Sequence, residues 1–505
     1  MEFQKIKLHR SEKNGAAVTQ ITLDDDYNVP DYRQDIVKVI KERGELRFDE
    51  VKAMEGAAWI KGSLVFKVLY RSDKQEGKIS CLRGEIPFQE RLNMDGLSEY
   101  DAVHATGDME DLTIGVINSR KLNVRAVIVL TASSEKEVDE ELTCELSDGS
   151  SYEQNIVEKE ALKLLVVRRD ICRQKSEAVL PSSKPNIREI LWQSMQLRNV
   201  ESRLVEGKIR LSGEILVSIL YNDEEEGEHL SWYETTVPLD AQAECGVMED
   251  DCIWQVQMVP LTMELEVKPD YDGEERILVM ELALDTHIRI WKEEKIRLLT
   301  DLYSLQKEVK PVFRECPLEH LLVKNAAKCR MTEQMELKED KEKVLQICSC
   351  EGKVLLERQE IKPDGVLAEG TVEVNILYIT PDDHMPVGAV QEIYPFSQLV
   401  EIPEMSAQAK VELDASLEQL SAVMLDQEHV EIRAAVRLDL IAFVQEVMQN
   451  IEEATESEPD LEMLRNRPGL VGYIAKAGDD LWTIARENHT TIQNIICLLY
   501  TSPSP

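Results

Sequence analysis

The chain has 505 residues, 43% of them hydrophobic and 30% charged, the balance of a folded globular protein and not of a disordered one. Its 96 acidic side chains against 58 Lys and Arg leave a net charge of -38, a field that repels phosphate backbones and anionic membrane surfaces and argues against nucleic acid as a partner. At roughly 150 residues per domain, such a length predicts about three domains.

The opening MEFQKIKLHRSEKNG lacks the apolar core of a secretory signal. No later run approaches the ~18 apolar residues of a membrane-spanning helix, so a cytoplasmic chain is expected. After Pro30 and DIVKVI (35–40) comes GSLVFKVLY (62–70), in which Leu64, Phe66, Val68 and Tyr70 share one face while Ser63 and Lys67 lie on the other. Period two with one apolar face predicts a strand packed on a core from one side. The polar turn RSDKQEG and a return strand carrying Pro87 complete a predicted hairpin. KLNVRAVIVLTA (121–132) reads as a long closing strand. EQNIVEKEALKLLVVRR (153–169) fits either a helix or a strand.

The same set then returns. Pro181 and NIREIL (186–191) precede GEILVSILY (213–221), the loop NDEEEGE and Pro238; KVLQI precedes GTVEVNILY (370–378), ITPDDHMP and Pro395. In each copy Gly and Tyr stand eight residues apart and a Pro follows the Tyr after seventeen: Gly62, Tyr70, Pro87; Gly213, Tyr221, Pro238; Gly370, Tyr378, Pro395. The glycines are expected to mark a bulge or bend where each strand opens. The tyrosines, in the apolar phase, are expected to be buried with their hydroxyls hydrogen-bonded and not to form a ligand platform. Asp223 to Glu226 reads as a solvated loop tip and not as a cation site. RILVMELALDTHIRIW (276–291) and HVEIRAAVRLDLIAFV (429–444) close the second and third copies. The third copy lacks the leading Pro and has diverged. The predicted fold is mainly β, with three β-sandwich or barrel-like units at 20–150, 175–305 and 315–447.

Ten cysteines are scattered without register; Cys348 and Cys350 would point one way from a strand but lack a second pair, so reduced structural thiols and no metal are expected. None of the eight histidines sits in a metal or catalytic motif, and the chain has no nucleophile elbow, phosphate loop or dinucleotide fingerprint. It is therefore expected not to be an enzyme and to need no cofactor. Beyond an acidic linker (448–470), YIAKAGDDLWTIARENHTTIQNII (473–496) predicts a short strand, a turn and a helix. Asp480 would cap that helix, with Leu481, Ile484 and Ala485 on its core face. Residues 498–505 are expected to be a non-native tail.

The thrice-repeated Gly–Tyr strand with its later Pro resembles the SPOCS domain of spore coat proteins, over roughly residues 20–450. Tyr473, Gly478, Asp479, Leu481, Ile484 and Ala485 match the pattern of the LysM module, which 471–497 resembles in truncated form. Asp480 stands where LysM usually has Thr or Ser, and the closing strand after the second helix is missing. Together these likenesses imply a non-catalytic scaffold or adaptor of endospore coat assembly, working in the mother-cell cytoplasm at the forespore surface. The implied partners are the ATPase of the coat's basement layer or other coat proteins. The implied LysM groove is Gly478, Asp479, Asp480, Leu481 and Trp482, with Trp482 the expected docking anchor. The alternative is a wall-associated protein that grips the N-acetylglucosamine glycan of peptidoglycan, against which the missing export signal speaks.

Overall fold

The alternation read in the three Gly–Tyr segments becomes, in each copy, the middle strand of a three-stranded antiparallel sheet. The computed structural model describes residues 1–72, 77–148, 151–224, 229–249, 251–337, 342–406, 408–459 and 471–501. The first copy contains β1 (Phe3–Asn28), β2 (Lys38–Met54), β3 (Ala57–Arg71), β4 (Ile79–Asn93), β5 (Val103–Asn118) and β6 (Lys121–Leu146). The second contains β7 (Glu153–Val179), β8 (Ile187–Val205), β9 (Lys208–Asp223), β10 (Leu230–Glu244), β11 (Cys252–Pro269) and β12 (Glu275–Tyr303). The third contains β13 (Glu308–Glu336), β14 (Gln346–Lys362), β15 (Gly365–Ile379), β16 (Val387–Glu401), β17 (Lys410–Met424) and β18 (His429–Ser457). Two short helices follow, α1 (Leu481–Glu487) and α2 (Ile492–Thr501). No helix among the described residues is long and apolar enough to cross a membrane.

In each copy the second, third and fourth strands form one sheet, while the sixth strand lies between the first and fifth in the other. The two sheets pack face to face. In the first copy Leu64, Phe66, Val68 and Tyr70 of β3 bury against Leu122, Val124, Ala126 and Ile128 of β6. Each such large side chain contributes on the order of 1.5–3 kcal/mol on leaving water. The units are sandwiches; among the described residues the sheets do not close into barrels, because each sheet keeps two edge strands.

Several expectations change. The segment 153–169 is strand, the start of β7. The stretch from 448 is not linker at first, since β18 continues through Ser457; 460–470 lie outside the described residues. Residues 498–501 extend α2, and 502–505 lie outside the described residues, as does part of the Asp223–Glu226 loop.

The glycines also act differently from expectation. β3, β9 and β15 each open five residues before Gly62, Gly213 and Gly370, and the irregularity lies on the neighbouring strand opposite. A Cβ at Gly62 would come 2.5 Å from the carbonyl oxygen of Arg47, and one at Gly370 would come 2.2 Å from that of Leu355. The glycine thus makes room for a bulge in its neighbour. Pro87, Pro238 and Pro395 sit on the edge strands β4, β10 and β16, paired with Ser63, Glu214 and Thr371, where a missing N–H leaves no central ladder bond unmade.

Tyr70, Tyr221 and Tyr378 are fully buried. Each hydroxyl donates to a carbonyl 36 residues upstream, of Gln34, Pro185 and Glu342, at 3.1 Å. Arg120 holds the Pro30 turn through the carbonyls of Val29, Pro30 and Arg33, and Arg276 repeats this on Leu180, Pro181 and Lys184. The third copy, which lacks the Pro, carries Glu428 in the arginine's place.

Candidate binding site at the repeat junction

A second bulge recurs near the start of β2, β8 and β14, displacing Ile40, Leu191 and Cys348 from the register. A bulge re-aims its side chain, and here all three turn out of their own sandwich into one shared cluster. Leu69, Leu220 and Leu377, each seven residues after its repeat's glycine, complete it with Ile79 and Val387. The three repeats are therefore joined around an approximate threefold junction. Cys348 and Cys350 do not point the same way as expected: the bulge sends Cys348 into the junction, while Cys350 stays in the third sandwich. Burial pushes both thiols up to about 12, so they are inert.

Beside this cluster each repeat gives a side chain to one buried polar group. Glu351 Oε1 accepts from Trp192 Nε1 at 2.9 Å and from Lys41 Nζ at 3.1 Å, and Arg43 Nη1 stands 3.4 Å from Oε2. Burial pushes the Glu351 carboxyl up, but Lys41 and Arg43 outweigh it and hold the group below its ordinary range.

The three repeats also line a half-open cavity of about 1190 Å³. In its lining, His287 Nε2 lies 3.3 Å from Glu135 Oε2, Ser11 donates to the same carboxylate, and Arg289 forks onto Glu412 while also bonding Gln255. Burial raises the Glu135 carboxyl, yet the hydrogen bonds from His287 and Ser11 and the charge of Arg289 bring it to about 2. His104 is driven down to about 4 by burial and by the neighbouring Arg169, which itself pairs with Asp285 at 3.5 Å. His287 and Arg289 of the second repeat thus meet Glu135 of the first and Glu412 of the third across repeat boundaries, while Arg169 and Asp285 pair within the second. Among the described residues no three His, Cys, Asp or Glu side chains come together as metal ligands.

The predicted C-terminal site residues divide into two groups. Gly478 takes φ +98, a conformation that favours glycine, and the Asp479 carboxylate accepts from Lys476 N–H at 2.7 Å and the Tyr473 hydroxyl at 2.9 Å. Asp480 caps α1 as expected, accepting from the Thr483 N–H at 2.8 Å and its hydroxyl at 2.7 Å, donors that lower its carboxyl. Residues 471–476 form no strand, contrary to expectation, and Leu481 is 38% exposed and not core; Ala485 alone of the three is buried. Trp482 is not free to anchor a partner here, because its indole is engaged with Asp301 and Tyr303 at the end of β12. Sequence reasoning missed Lys41, Trp192, Glu351 and Asp301. Their signal is departure from the repeat: Lys41 and Trp192 occupy the same place in two copies, where the third has Ser349.

No curated protein matches the chain. Among solved structures, the ferric yersiniabactin uptake receptor FyuA from Yersinia pestis is similar at 8% identity over 86% of this chain and 80% of that one, with a TM-score of 0.11, too low to bear on the fold. The model of the family described as SipL, SPOCS domain matches three times, at residues 35–117, 186–268 and 343–425. Each match spans the second to fifth strands of one copy, leaving the long first and sixth strands outside it. That membership ties the chain to sporulation. Through three tandem copies of the domain, joined at one buried junction, the chain belongs to the SipL, SPOCS-domain family.

Proposed function

We propose that the chain is a non-catalytic scaffold or adaptor of endospore coat assembly. It recruits coat to the forespore surface from the mother-cell side, through protein contacts of its repeats and of a LysM-like module at 471–497. The observation that carries this reading is the shared group of Lys41, Trp192 and Glu351, to which each repeat contributes one side chain. An adaptor has to hold separate surfaces in a fixed relation, and burying a charge that is satisfied only when all three repeats meet does that. Charged groups lining the cavity support the same role, since Arg289 of the second repeat is shared between Glu135 of the first and Glu412 of the third.

A net charge of -38 suits a partner with exposed cations, and the basement-layer ATPase of the coat or another coat protein is the partner class proposed. The carboxylate of Asp480, beside the proposed groove where a neutral hydroxyl is usual, favours a protein ligand over glycan. The test is a pull-down from sporulating mother-cell lysate with the full chain as bait, beside co-sedimentation on purified peptidoglycan. Recovery of coat protein and no sedimentation is expected. Glycan binding that is lost on changing Gly478 and Asp479, with no protein recovered, would replace the adaptor with a wall-binding protein.

A further inference from the structure

The end of β12 breaks the threefold pattern. β6, β12 and β18 each carry a bulge near their ends, at Cys144, Thr300 and Glu452. Counted from it, Asp301 and Tyr303 take the places of Glu145 and Ser147 in the first copy and of Glu453 and Thr455 in the third. Ser147, Glu453 and Thr455 are exposed and Glu145 is half-buried, whereas Asp301 and Tyr303 are only 8% and 6% exposed. What covers them is the C-terminal helical segment.

The contacts are specific. Asp301 Oδ1 accepts from the N–H of Leu302 at 2.9 Å, within its own strand. Its Oδ2 accepts from Trp482 Nε1 at 2.7 Å and Arg486 Nη1 at 2.6 Å, and among the described residues this oxygen has partners on the C-terminal segment alone. The Tyr303 ring meets the Trp482 ring at 4.9 Å and 63°, and its hydroxyl donates to the carbonyl of Thr490 at 2.8 Å. His489 Nε2 lies 3.1 Å from the carbonyl of Leu305. A short stretch of the second repeat, 301–305, thus holds α1 and the turn after it.

We propose that Asp301 and Tyr303 form a seat for the chain's own C-terminal helix and that the docking is a latch. Seated, α1 withholds Trp482 from any partner; released, it presents Trp482 and Arg486 together, an aromatic ring beside a cation. The contact is small, and the Arg486 side chain is 43% exposed, so salt screens its ion pair with Asp301. A small, partly wetted contact opens more readily than the strands beneath it. A released helix leaves Oδ2 of Asp301 without its two protein donors, so that reseating is favoured whenever no partner is present.

Hydrogen exchange on the full chain tests this. Arg486→Gln should speed exchange in 481–496 about tenfold, the effect of losing one charge-assisted hydrogen bond, and Asp301→Ala, which loses two, by at least as much. The amides of β12 upstream of the seat should be unchanged. Raising salt should speed the same amides in the wild type and not in Asp301→Ala. Acrylamide quenching of Trp482, taken as the difference from Trp482→Phe, should rise in both variants. Unchanged exchange and quenching in both would overturn the latch. So would wild-type α1 amides that exchange only at the rate of β12, because a helix that leaves only on global unfolding is a fixed element. Neither measurement uses a partner, so the outcome stands apart from the adaptor role.

Discussion

Trp192 of the second repeat donates its indole N–H to Glu351 of the third across 2.9 Å, and the Lys41 ammonium of the first lies 5.2 Å over the same indole ring. A single carboxylate therefore answers a hydrogen-bond donor and a cation from two other repeats. Removing the carboxylate in Glu351→Ala strands Lys41, itself 7% exposed, without a counter-charge. Breaking a buried pair in this way costs on the order of 3–5 kcal/mol. Glu351→Gln keeps an acceptor for Trp192 and should lose less. Denaturant unfolding of the two variants checks the order, and an Ala variant as stable as the wild type would show that the junction does not hold the repeats.

The same carboxylate gives a pH signature. Lys41 and Arg43 overcome its burial and hold it below the ordinary glutamate value of 4.5. A group depressed on folding stabilises above its unfolded value, and that stabilisation is lost as pH falls through the lower folded one. Glu135 behaves alike: burial opposes ionisation, but His287, Ser11 and Arg289 take it from 4.5 to about 2. Its contribution should therefore disappear between about pH 4.5 and 2. Glu135→Gln should flatten the stability profile in that window and leave its shape above pH 5 unchanged.

His104 makes the protein acid-sensitive at a milder pH. Burial, then Arg169, lowers it from 6.5 to about 4. Between those values the unfolded chain binds a proton that the folded chain does not, so stability falls as pH falls. His104→Gln should lessen the slope of melting temperature against pH from 6.5 to 4. An identical slope would show that burial and Arg169 do not depress the imidazole.

Tyr70→Phe, Tyr221→Phe and Tyr378→Phe each delete one hydroxyl that donates at 3.1 Å to the segment leading into the second strand of its repeat. Each should cost on the order of 1 kcal/mol. Three equal losses in unfolding free energy, with pull-down yield unaffected, are expected of a core tyrosine. Loss of partner at full stability would identify a binding platform instead.

The alternation of GSLVFKVLY and its two relatives was enough to read the middle strands, their buried faces and the hydroxyl-bonded tyrosines. Composition and periodicity describe one strand at a time, and the sandwich cores obey that rule. The junction does not. Ile40, Leu191 and Cys348 reach it because a bulge reverses the face they would otherwise take, and a period-two reading assigns them to the wrong side. The C-x-C of Cys348 and Cys350 was misread for the same reason. Asp301 was missed because an acidic residue near a strand end looks like one more solvated charge; only its equivalence to the uncovered Glu453 marks it. The cap at Asp480 was legible, since an N-cap is decided within four residues, whereas the docking of Trp482 depends on residues about 180 positions away.

Asn450 tests how the far ends of the repeats are joined. Counted along the closing strands, it occupies the place of Leu142 and Leu298, both fully buried. β5 pairs with β6 only as far as Ser134, and β11 with β12 only as far as Lys292, so among the described residues both long strands run on with one edge lacking a neighbour strand. Asn450 supplies partners at those open edges. Its amide oxygen accepts from the Thr143 N–H at 2.8 Å, and its amide nitrogen donates to the carbonyls of Thr143 at 2.8 Å and Leu299 at 3.2 Å. Asn450→Leu would restore the apolar residue of the other two copies and gain apolar burial. It would also leave the Thr143 N–H and C=O, at a site 1% exposed, without these bonds. Each buried backbone group left unpaired costs about 1–3 kcal/mol, and three such losses, with the Leu299 carbonyl, outweigh the ~1.5–3 kcal/mol of a buried leucine. Asn450→Leu should thus be destabilising by on the order of 1–3 kcal/mol in denaturant titration. Equal or greater stability would mean that leucine is tolerated in all three copies and that the amide does not join the strand ends.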